Sequence, residues 1–205
     1  MTGKVLVATG NLGKLVEYGR MMEECIDVLG SMDFPGMPVP DEDGRTFAEN
    51  AIKKALSAAE YSGMLTLADD SGLVVDALGG EPGVRTARYG EGQAFDDEQR
   101  YLLVLRRLSG VKAQDRTARF VCAMALADRG GLIAVTEGSC EGSIAFAPEG
   151  DNGFGYDPIF IPQGYGCSFA QLEDDEKDMI SHRRKALIDM LPFVEAALKK
   201  GTEGV

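Results

Sequence analysis

The sequence lacks residues on which several common kinds of site depend. It has no tryptophan and a single histidine, His182, among 205 residues. One histidine excludes a two-histidine zinc site and the HExxH motif of metalloproteases. The chain has four cysteines, and no two of them form a CxxC pair: they are Cys25, Cys122, Cys140 and Cys167. Dispersed thiols of this kind are typical of a reduced, cytoplasmic protein, and we expect them to be buried.

Long apolar runs are also missing. The run that opens the chain, residues 4–9, is too short for the core of a signal peptide and has no cleavage pattern after it. No apolar run approaches the roughly 20 residues that a bilayer-spanning helix needs. We therefore expect a soluble protein with no membrane partner.

Basic residues are in the minority, with 21 Lys+Arg against 33 Asp+Glu and a formal net charge of −12. Such a surface repels nucleic acids and anionic membranes, so neither is expected as a partner. Carboxylates are the plentiful metal ligands, and their hard oxygens suit Mg²⁺ or Mn²⁺. The length fits one domain, or one with two lobes.

Hydrophobic periodicity predicts alternating strands and helices, and hence a single α/β domain over residues 1–205. The predicted strands cover residues 4–9, 27–29, 64–68, 73–78, 117–127, 132–137, 144–147 and 159–161. The predicted helices cover residues 12–24, 46–61, 96–108 and 181–199, the second opened by a T-x-x-E capping box at Thr46. Pro192 is expected to bend the last helix. Residues 32–45 are predicted to form a surface loop, and residues 199–205 are compatible with a disordered tail.

The first candidate site lies between the first strand and the first helix, in the sequence TGNLGK that ends at Lys14. Backbone N–H groups at a helix N-terminus favour an anion, and Lys14 adds a positive charge. The spacing is neither Walker A nor GxGxxG. Phosphate binding and an ordinary strand-to-helix turn are equally compatible with it.

Two further candidates are acidic. Asp69 and Asp70 are predicted to end a strand, where adjacent side chains point in different directions, so one can bind metal or act as a base. A solvated acidic turn is the alternative. The loop with Asp41, Glu42 and Asp43 is typical of solvated surface, and it gains interest only if a metal at Asp70 needs a second carboxylate.

The last candidate combines Phe154, which has a glycine on each side, with the sequence Ser181-His182-Arg183. The glycines free the backbone to lie against a flat ligand, and the ring offers a stacking face. Alone, each pattern is typical of a turn or a capped helix. Together they predict a site for a planar, oxygen-rich base.

Seven motifs follow one another along the chain: T-G-N-x-G-K, T-F-x-E-N-A-x-x-K-A, A-D-D-S-G-L, L-G-G-x-P-G, A-R-Y, G-F-G-Y-D-P and S-H-R. In this order they resemble the inosine/xanthosine triphosphate pyrophosphatases, also called dITP/XTP or non-canonical purine NTP pyrophosphatases. The resemblance extends from residue 4 to about residue 195.

The resemblance implies hydrolysis of ITP, dITP and XTP to the monophosphate and pyrophosphate, which removes these nucleotides from the pool. It implies Mg²⁺, one or more ions per subunit, with Mn²⁺ as an alternative. It also implies a cytoplasmic homodimer. The implied fold is α/β, a single domain with a central mixed, elongated β-sheet flanked by helices, and two lobes with the active-site cleft between them.

Roles carry over residue by residue. Asp70 would be the general base and a metal ligand, with Asp41 as second ligand; relatives often have Glu there, so Glu42 and Glu49 are alternatives. Lys54 would add charge near the phosphates, and Ser71 would contact substrate. The phosphates would be cradled by Thr9, Gly10, Asn11, Leu12, Gly13 and Lys14. The base and neighbouring groups would be held by Phe154, Gly155, Tyr156, Asp157, Lys177, His182 and Arg183.

Base selection is a hydrogen-bonding question. Hypoxanthine and xanthine carry a 6-oxo acceptor where adenine carries an amino donor, so donors such as His182 and Arg183 favour the former. Two rival interpretations are a Maf-like nucleotide pyrophosphatase with another base preference and a catalytically inactive nucleotide-binding module. The presence of Asp69, Asp70 and Lys14 argues against the inactive module. The acidic loops lack the EF-hand spacing that calcium would need.

Overall fold

The computed structural model describes residues 3–22, 26–90 and 96–203. Within them, six strands form one sheet in the order β2-β1-β3-β4-β5-β6, and helices flank it. The strands are β1 (Gly3–Val7), β2 (Ile26–Gly30), β3 (Thr66–Val75), β4 (Thr117–Asp128), β5 (Gly131–Ile144) and β6 (Phe160–Pro162). The helices are α1 (Leu12–Met22), α2 (Phe47–Ser62), α3 (Asp97–Arg107), α4 (Asp174–Ile180) and α5 (His182–Glu203). The predicted α/β class is confirmed.

The sheet is mixed. β1 pairs in parallel with β2, where Gly3 lies opposite Ile26, and with β3, where Leu6 lies opposite Thr66. β5 and β6 pair antiparallel. Parallel strands that are covered on both faces are continuously apolar, and β1 accordingly buries three consecutive residues, Val5, Leu6 and Val7.

The chain divides into two compact units. Unit 1 comprises Met1–Asp70, Cys122–Gly138 and Arg183–Val205, and unit 2 comprises Ser71–Val121 and Ser139–His182. Unit 1 contains an alanine-rich layer, in which residues of α2 and β4 are buried together, among them Ala51, Ala55, Ala123 and Ala125. The core of unit 2 is aromatic and includes Phe120, Phe160 and Phe169.

Most helix ends follow the predicted signals. Thr46 caps α2 by accepting a hydrogen bond from the Glu49 N–H (3.1 Å), and Gly63 ends it with a φ of 69°. The Glu49 carboxylate accepts from the Arg45 N–H rather than from Thr46, so the predicted capping box forms only in half. α5 continues through Pro192 to Glu203. Pro192 therefore does not end the helix, and residues 204–205 of the predicted tail lie outside the described residues.

The structure corrects several strand predictions. The two strands predicted over residues 64–68 and 73–78 merge into one strand, β3, so Asp69 and Asp70 lie inside a strand and not in a turn, while residues 76–78 form a short 3-10 helix. The strand predicted over residues 132–137 is part of a longer strand, β5, which ends at Ile144, so residues 145–147 of the next predicted strand are not in a strand. The short helix α4 was not predicted, because its sequence, DDEKDMI, shows no apolar periodicity.

The described cysteines are free thiols. Cys122 and Cys140 are buried as predicted, Cys167 is half-buried, and Cys25 lies outside the described residues. Across the described ranges, no helix combines the length and apolar character that crossing a membrane requires.

Candidate active site

In unit 1, the sequence Thr9 to Lys14 comprises the turn after β1 and the first residues of α1. The Lys14 N–H donates to Asn11 Oδ1 (3.1 Å), and the Asn11 N–H donates to Thr9 Oγ1 (3.2 Å). Asn11 thereby caps α1, and its neighbours Gly10 and Leu12 are exposed. The turn places the positive end of an 11-residue helix at the surface, where an anion is favoured.

Lys14 is held at this turn by Asp69. Its Nζ lies 2.7 Å from Asp69 Oδ2, and the Asp69 carboxylate is buried. Burial raises the pKa of Asp69, but the ammonium groups of Lys14 and Lys54 and the Arg183 guanidinium outweigh it and lower the pKa to about 2. Asp69 is therefore a fixed anion, which excludes the solvated acidic turn considered for this segment.

Asp70 belongs to a separate group of side chains, here called the carboxylate–lysine cluster: Glu42, Asn50, Lys54 and Asp70. Asn50 Nδ2 donates to Asp70 Oδ2 (2.9 Å). Lys54 Nζ lies 3.3 Å from Asp70 Oδ1 and 2.8 Å from Glu42 Oε1. Adjacent side chains of β3 thus have different partners, as the alternation along a strand requires.

The two adjacent carboxylates also differ in proton affinity. Burial raises the pKa of Asp70, although Lys54 and the Asn50 hydrogen bond work against it. Burial lowers the pKa of Lys54, but the surrounding carboxylates outweigh burial and raise it. A pair of carboxyl groups whose pKa values are driven apart is the arrangement by which enzymes separate a fixed charge from a proton acceptor. Of this pair, Asp70 is the carboxylate with the greater proton affinity.

Among the alternatives for a second metal ligand, the geometry favours Glu42. Its carboxylate shares the Lys54 ammonium with Asp70, whereas Asp41 is exposed and Glu49 is occupied by the Arg45 N–H (2.6 Å). The oxygens of Asp70 and Glu42 already converge on one cationic atom, and carboxylate oxygens are ligands that Mg²⁺ prefers. These two residues are therefore the carboxylates that could hold a divalent cation here. No group of three or more His, Cys, Asp or Glu side chains suited to a metal occurs within the described ranges.

In unit 2, the sequence Gly153 to Asp157 forms a loop braced by a buried ion pair. Asp157 Oδ2 accepts hydrogen bonds from the Phe154 N–H (2.9 Å) and from Lys177 Nζ (2.7 Å). Gly153 has a φ of 75°, and a Cβ there would overlap Asp157 Oδ2. The Gly155 N–H donates to Asp97 Oδ2 at the start of α3 (3.0 Å). Asp157 and Lys177 thus shape the loop that presents the half-buried Phe154 ring.

Several aromatic residues of unit 2 have defined partners, and one of them lies against Lys177 of this ion pair. Lys177 Nζ lies 4.9 Å from the centroid of the Phe154 ring, a cation–π distance. His182 is buried and stacks on Phe120, with centroids 4.8 Å apart and planes 10° apart. The Tyr156 hydroxyl donates to the Thr86 carbonyl (2.8 Å), and burial raises the pKa of Tyr156. Ser71, at the start of unit 2, is half-buried in β3.

Arg183 belongs to unit 1, whereas Ser181 and His182, which precede it in the chain, belong to unit 2. Its guanidinium forms a buried ion pair with Glu17 of α1. Burial lowers the pKa of Arg183, but Glu17 outweighs it and raises the pKa. Its contact with a base stays a prediction, and its partner Glu17 was not foreseen. Asn50 and Asp97 were also missed, although Asn50 stands in the T-F-x-E-N-A motif.

Comparison with known proteins yields a consistent group of relatives. The Ham1 family model matches residues 5–193. A dITP/XTP pyrophosphatase of Desulforamulus reducens is 49% identical over 90% of this chain and 92% of its own. One from Shouchella clausii is 46% identical over 98% of both chains. The structure of a HAM1 protein from Coxiella burnetii has a TM-score of 0.84 at 37% identity, covering 95% of this chain and 100% of that one.

Proposed function

The chain belongs to the Ham1 family, and from that premise we propose that it hydrolyses the non-canonical purine nucleoside triphosphates ITP, dITP and XTP. The products are the nucleoside monophosphate and pyrophosphate, and the reaction removes these nucleotides from the pool. Two relatives at 49% and 46% identity carry the name dITP/XTP pyrophosphatase, which supports this reaction over the Maf-like alternative. The structural observation that carries the proposal is Asp70, a carboxylate of raised pKa beside a lysine and a second carboxylate.

In the proposed reaction, unit 1 acts on the phosphates. Asp70 accepts the proton of the attacking water, and its hydrogen bond from Asn50 and its ion pair with Lys54 hold its carboxylate in place for that step. Lys54 and Lys14, each held by a carboxylate, add positive charge near the phosphates, together with the N–H groups at the start of α1. Charge placed in advance is usually the largest single contribution to such a reaction.

The proposed cofactor is Mg²⁺, one or more ions per subunit, with Mn²⁺ as an alternative. Asp70 and Glu42 would hold it, because their oxygens converge on Lys54 Nζ, and Asp41 is the ligand that the sequence alone favours. Bound there, a divalent ion supplies charge stabilisation to the phosphate oxygens. Loss of activity in EDTA and its return with Mg²⁺ is the expected result, and undiminished activity in EDTA would contradict it.

Unit 2 would hold the base. The Phe154 ring offers a stacking surface, and the Asp157–Lys177 pair keeps the loop beneath it in one shape. His182 and Arg183 are proposed to contribute to the choice of base. We also propose that the protein is cytoplasmic and forms a homodimer. Measurement of its mass in solution tests the homodimer directly.

A panel of nucleotides tests the proposed function. The protein is incubated with Mg²⁺ and ITP, dITP, XTP, ATP or GTP, and the initial rate of pyrophosphate release is measured over a range of concentrations. We expect kcat/KM for the first three to exceed that for ATP and GTP. Equal values for all five, or a preference for ATP and GTP, would remove the assignment to non-canonical purines.

A further inference from the structure

Asn50 is buried, and both the NH₂ group and the oxygen of its side-chain amide form hydrogen bonds. Its side chain lies in the first turns of α2 and only 1% of the residue is exposed. Nδ2 donates to Asp70 Oδ2 (2.9 Å), and Oδ1 accepts from the Gly44 N–H (2.8 Å). A planar amide with both ends hydrogen-bonded and no solvent contact fixes the distance between its two partners.

Gly44 shows independently that the contact with Asn50 is tight. A Cβ at position 44 would overlap Asn50 Oδ1 and lie 3.0 Å from its Cγ. The backbone of Gly44 lies outside the left-handed region, so close approach, and not its φ, is what requires a glycine. Gly44 follows Glu42 by two residues, and the Glu42 carboxylate lies 2.8 Å from Lys54 Nζ.

We propose that Asn50 is a positioning residue that ties the acidic loop of residues 41–44 to Asp70, and so fixes where Glu42 stands relative to the proposed base. This role rests on the proposed function, which assigns chemistry to Asp70 and Glu42. Lys53 and Lys54 also contact the loop, through Asp43 and Glu42. An ammonium group on a flexible stem has no fixed direction, whereas the amide of Asn50 has one for each partner.

Three substitutions test the two hydrogen bonds of Asn50, with Asp70 and with Gly44, in different combinations. Asn50→Ala removes both hydrogen bonds. Asn50→Asp keeps an acceptor for the Gly44 N–H but replaces the donor to Asp70 with a second carboxylate. Gly44→Ala forces the loop and the Asn50 amide apart and keeps both hydrogen-bonding groups of the amide. Lys53→Ala is the matched control, because it removes a contact between the same loop and the same helix that is exposed on both sides.

The first readout needs neither metal nor nucleotide. Hydrogen exchange at the Gly44 N–H is measured in the metal-free protein by NMR. We expect faster exchange in Asn50→Ala and Gly44→Ala, and exchange like that of the original protein in Asn50→Asp and Lys53→Ala. Thermal unfolding of each variant shows whether the change is confined to the loop.

The second readout is steady-state hydrolysis of ITP with Mg²⁺. Because a displacement of 1 Å in an active site can lower turnover by about 10²-fold, we expect a loss of that order in kcat for Asn50→Ala. We expect a loss of about tenfold for Gly44→Ala and an intermediate one for Asn50→Asp, with KM little changed. Lys53→Ala should keep the original kcat.

Two results would contradict the positioning role of Asn50. One is a kcat in Asn50→Ala equal to that of the unsubstituted protein, and the other is hydrogen exchange at Gly44 that Asn50→Ala leaves unchanged. Equal loss of kcat in Lys53→Ala would contradict that role as well, because any contact with the loop would then suffice. If the original protein releases no pyrophosphate from any nucleotide of the panel, the proposed function fails. The exchange measurements alone then decide whether Asn50 holds the loop.

Discussion

Two charge clusters of this molecule contain the same chemical groups in different surroundings. In the carboxylate–lysine cluster of unit 1, the side chains of Lys54, Asp70 and Glu42 keep 14%, 10% and 29% of their surface exposed. In unit 2, those of Lys177 and Asp157 keep 3% and 4%. A charge in contact with solvent can exchange its partner for a ligand, whereas separating a buried pair leaves an uncompensated charge. The difference supports the proposed role of Lys54 and Asp70 toward phosphate and metal, and a role of Lys177 and Asp157 in the shape of a loop.

The largest effect expected from this comparison is on turnover in unit 1. Asp70→Asn keeps the shape of the side chain but removes the proton acceptor, so kcat should fall by about 10²–10⁴-fold with the fold intact. Steady-state hydrolysis of ITP and thermal unfolding measure the two properties on one sample. Near-normal turnover would remove Asp70 from the role of base.

In unit 2 the corresponding change should act on stability. Lys177→Met leaves the Asp157 carboxylate buried without its ammonium partner, which should lower the free energy of unfolding by about 3–5 kcal/mol. Urea denaturation measures it. The matched control is Lys54→Met. Its carboxylate partners keep access to solvent, so this substitution should lower the free energy of unfolding by less. If both substitutions cost the same free energy, the distinction between the clusters is wrong.

Asp69 gives unit 1 a stability component that depends on pH. Its folded pKa of about 2 lies below the ordinary value of 3.8, so its contribution is fully present above about pH 4 and is lost as pH falls toward 2. The shift corresponds to about 2 kcal/mol. We expect Asp69→Asn to be less stable at pH 7 and to lack this component of the acid transition. Chemical denaturation at several pH values between 2 and 7 measures the difference.

The smallest effect concerns the choice of base. His182→Ala and Arg183→Ala should lower kcat/KM for ITP about fivefold more than for ATP, since one hydrogen bond to the 6-oxo group is worth about 1 kcal/mol. Arg183→Ala also leaves Glu17 buried without its partner, so less of that variant will be folded. The ratio of the two substrates on one sample cancels this loss. Equal losses for ITP and ATP would exclude both residues from base selection.

Much of the fold follows from local patterns. α1, α2 and α3 begin close to their predicted positions because capping residues and apolar periodicity are local signals. The interior of β3 does not follow from them, since Asp-Asp-Ser-Gly is a sequence typical of a turn. The partners that allow Asp69 and Asp70 to be buried in a strand, Lys14 and Asn50, stand 55 and 20 residues away in the chain.

For the candidate site, the sequence predicts the kinds of residues better than their partners. Seven motifs select Lys14, Lys54 and Asp70, which the structure finds in close ion pairs of unit 1. The motifs do not show that Arg183 pairs with a glutamate 166 residues away. They favour Asp41 over Glu42 as the second metal ligand, whereas in the folded loop it is the Glu42 carboxylate that reaches Lys54.

The identity of the products tests the central claim most directly. ITP is incubated with the protein and Mg²⁺, and the phosphorus species are followed by ³¹P NMR from the first turnovers. The account predicts that inosine monophosphate and pyrophosphate appear together in equal amounts, and that Asp70→Asn forms the same products far more slowly. Release of orthophosphate together with inosine diphosphate would contradict it.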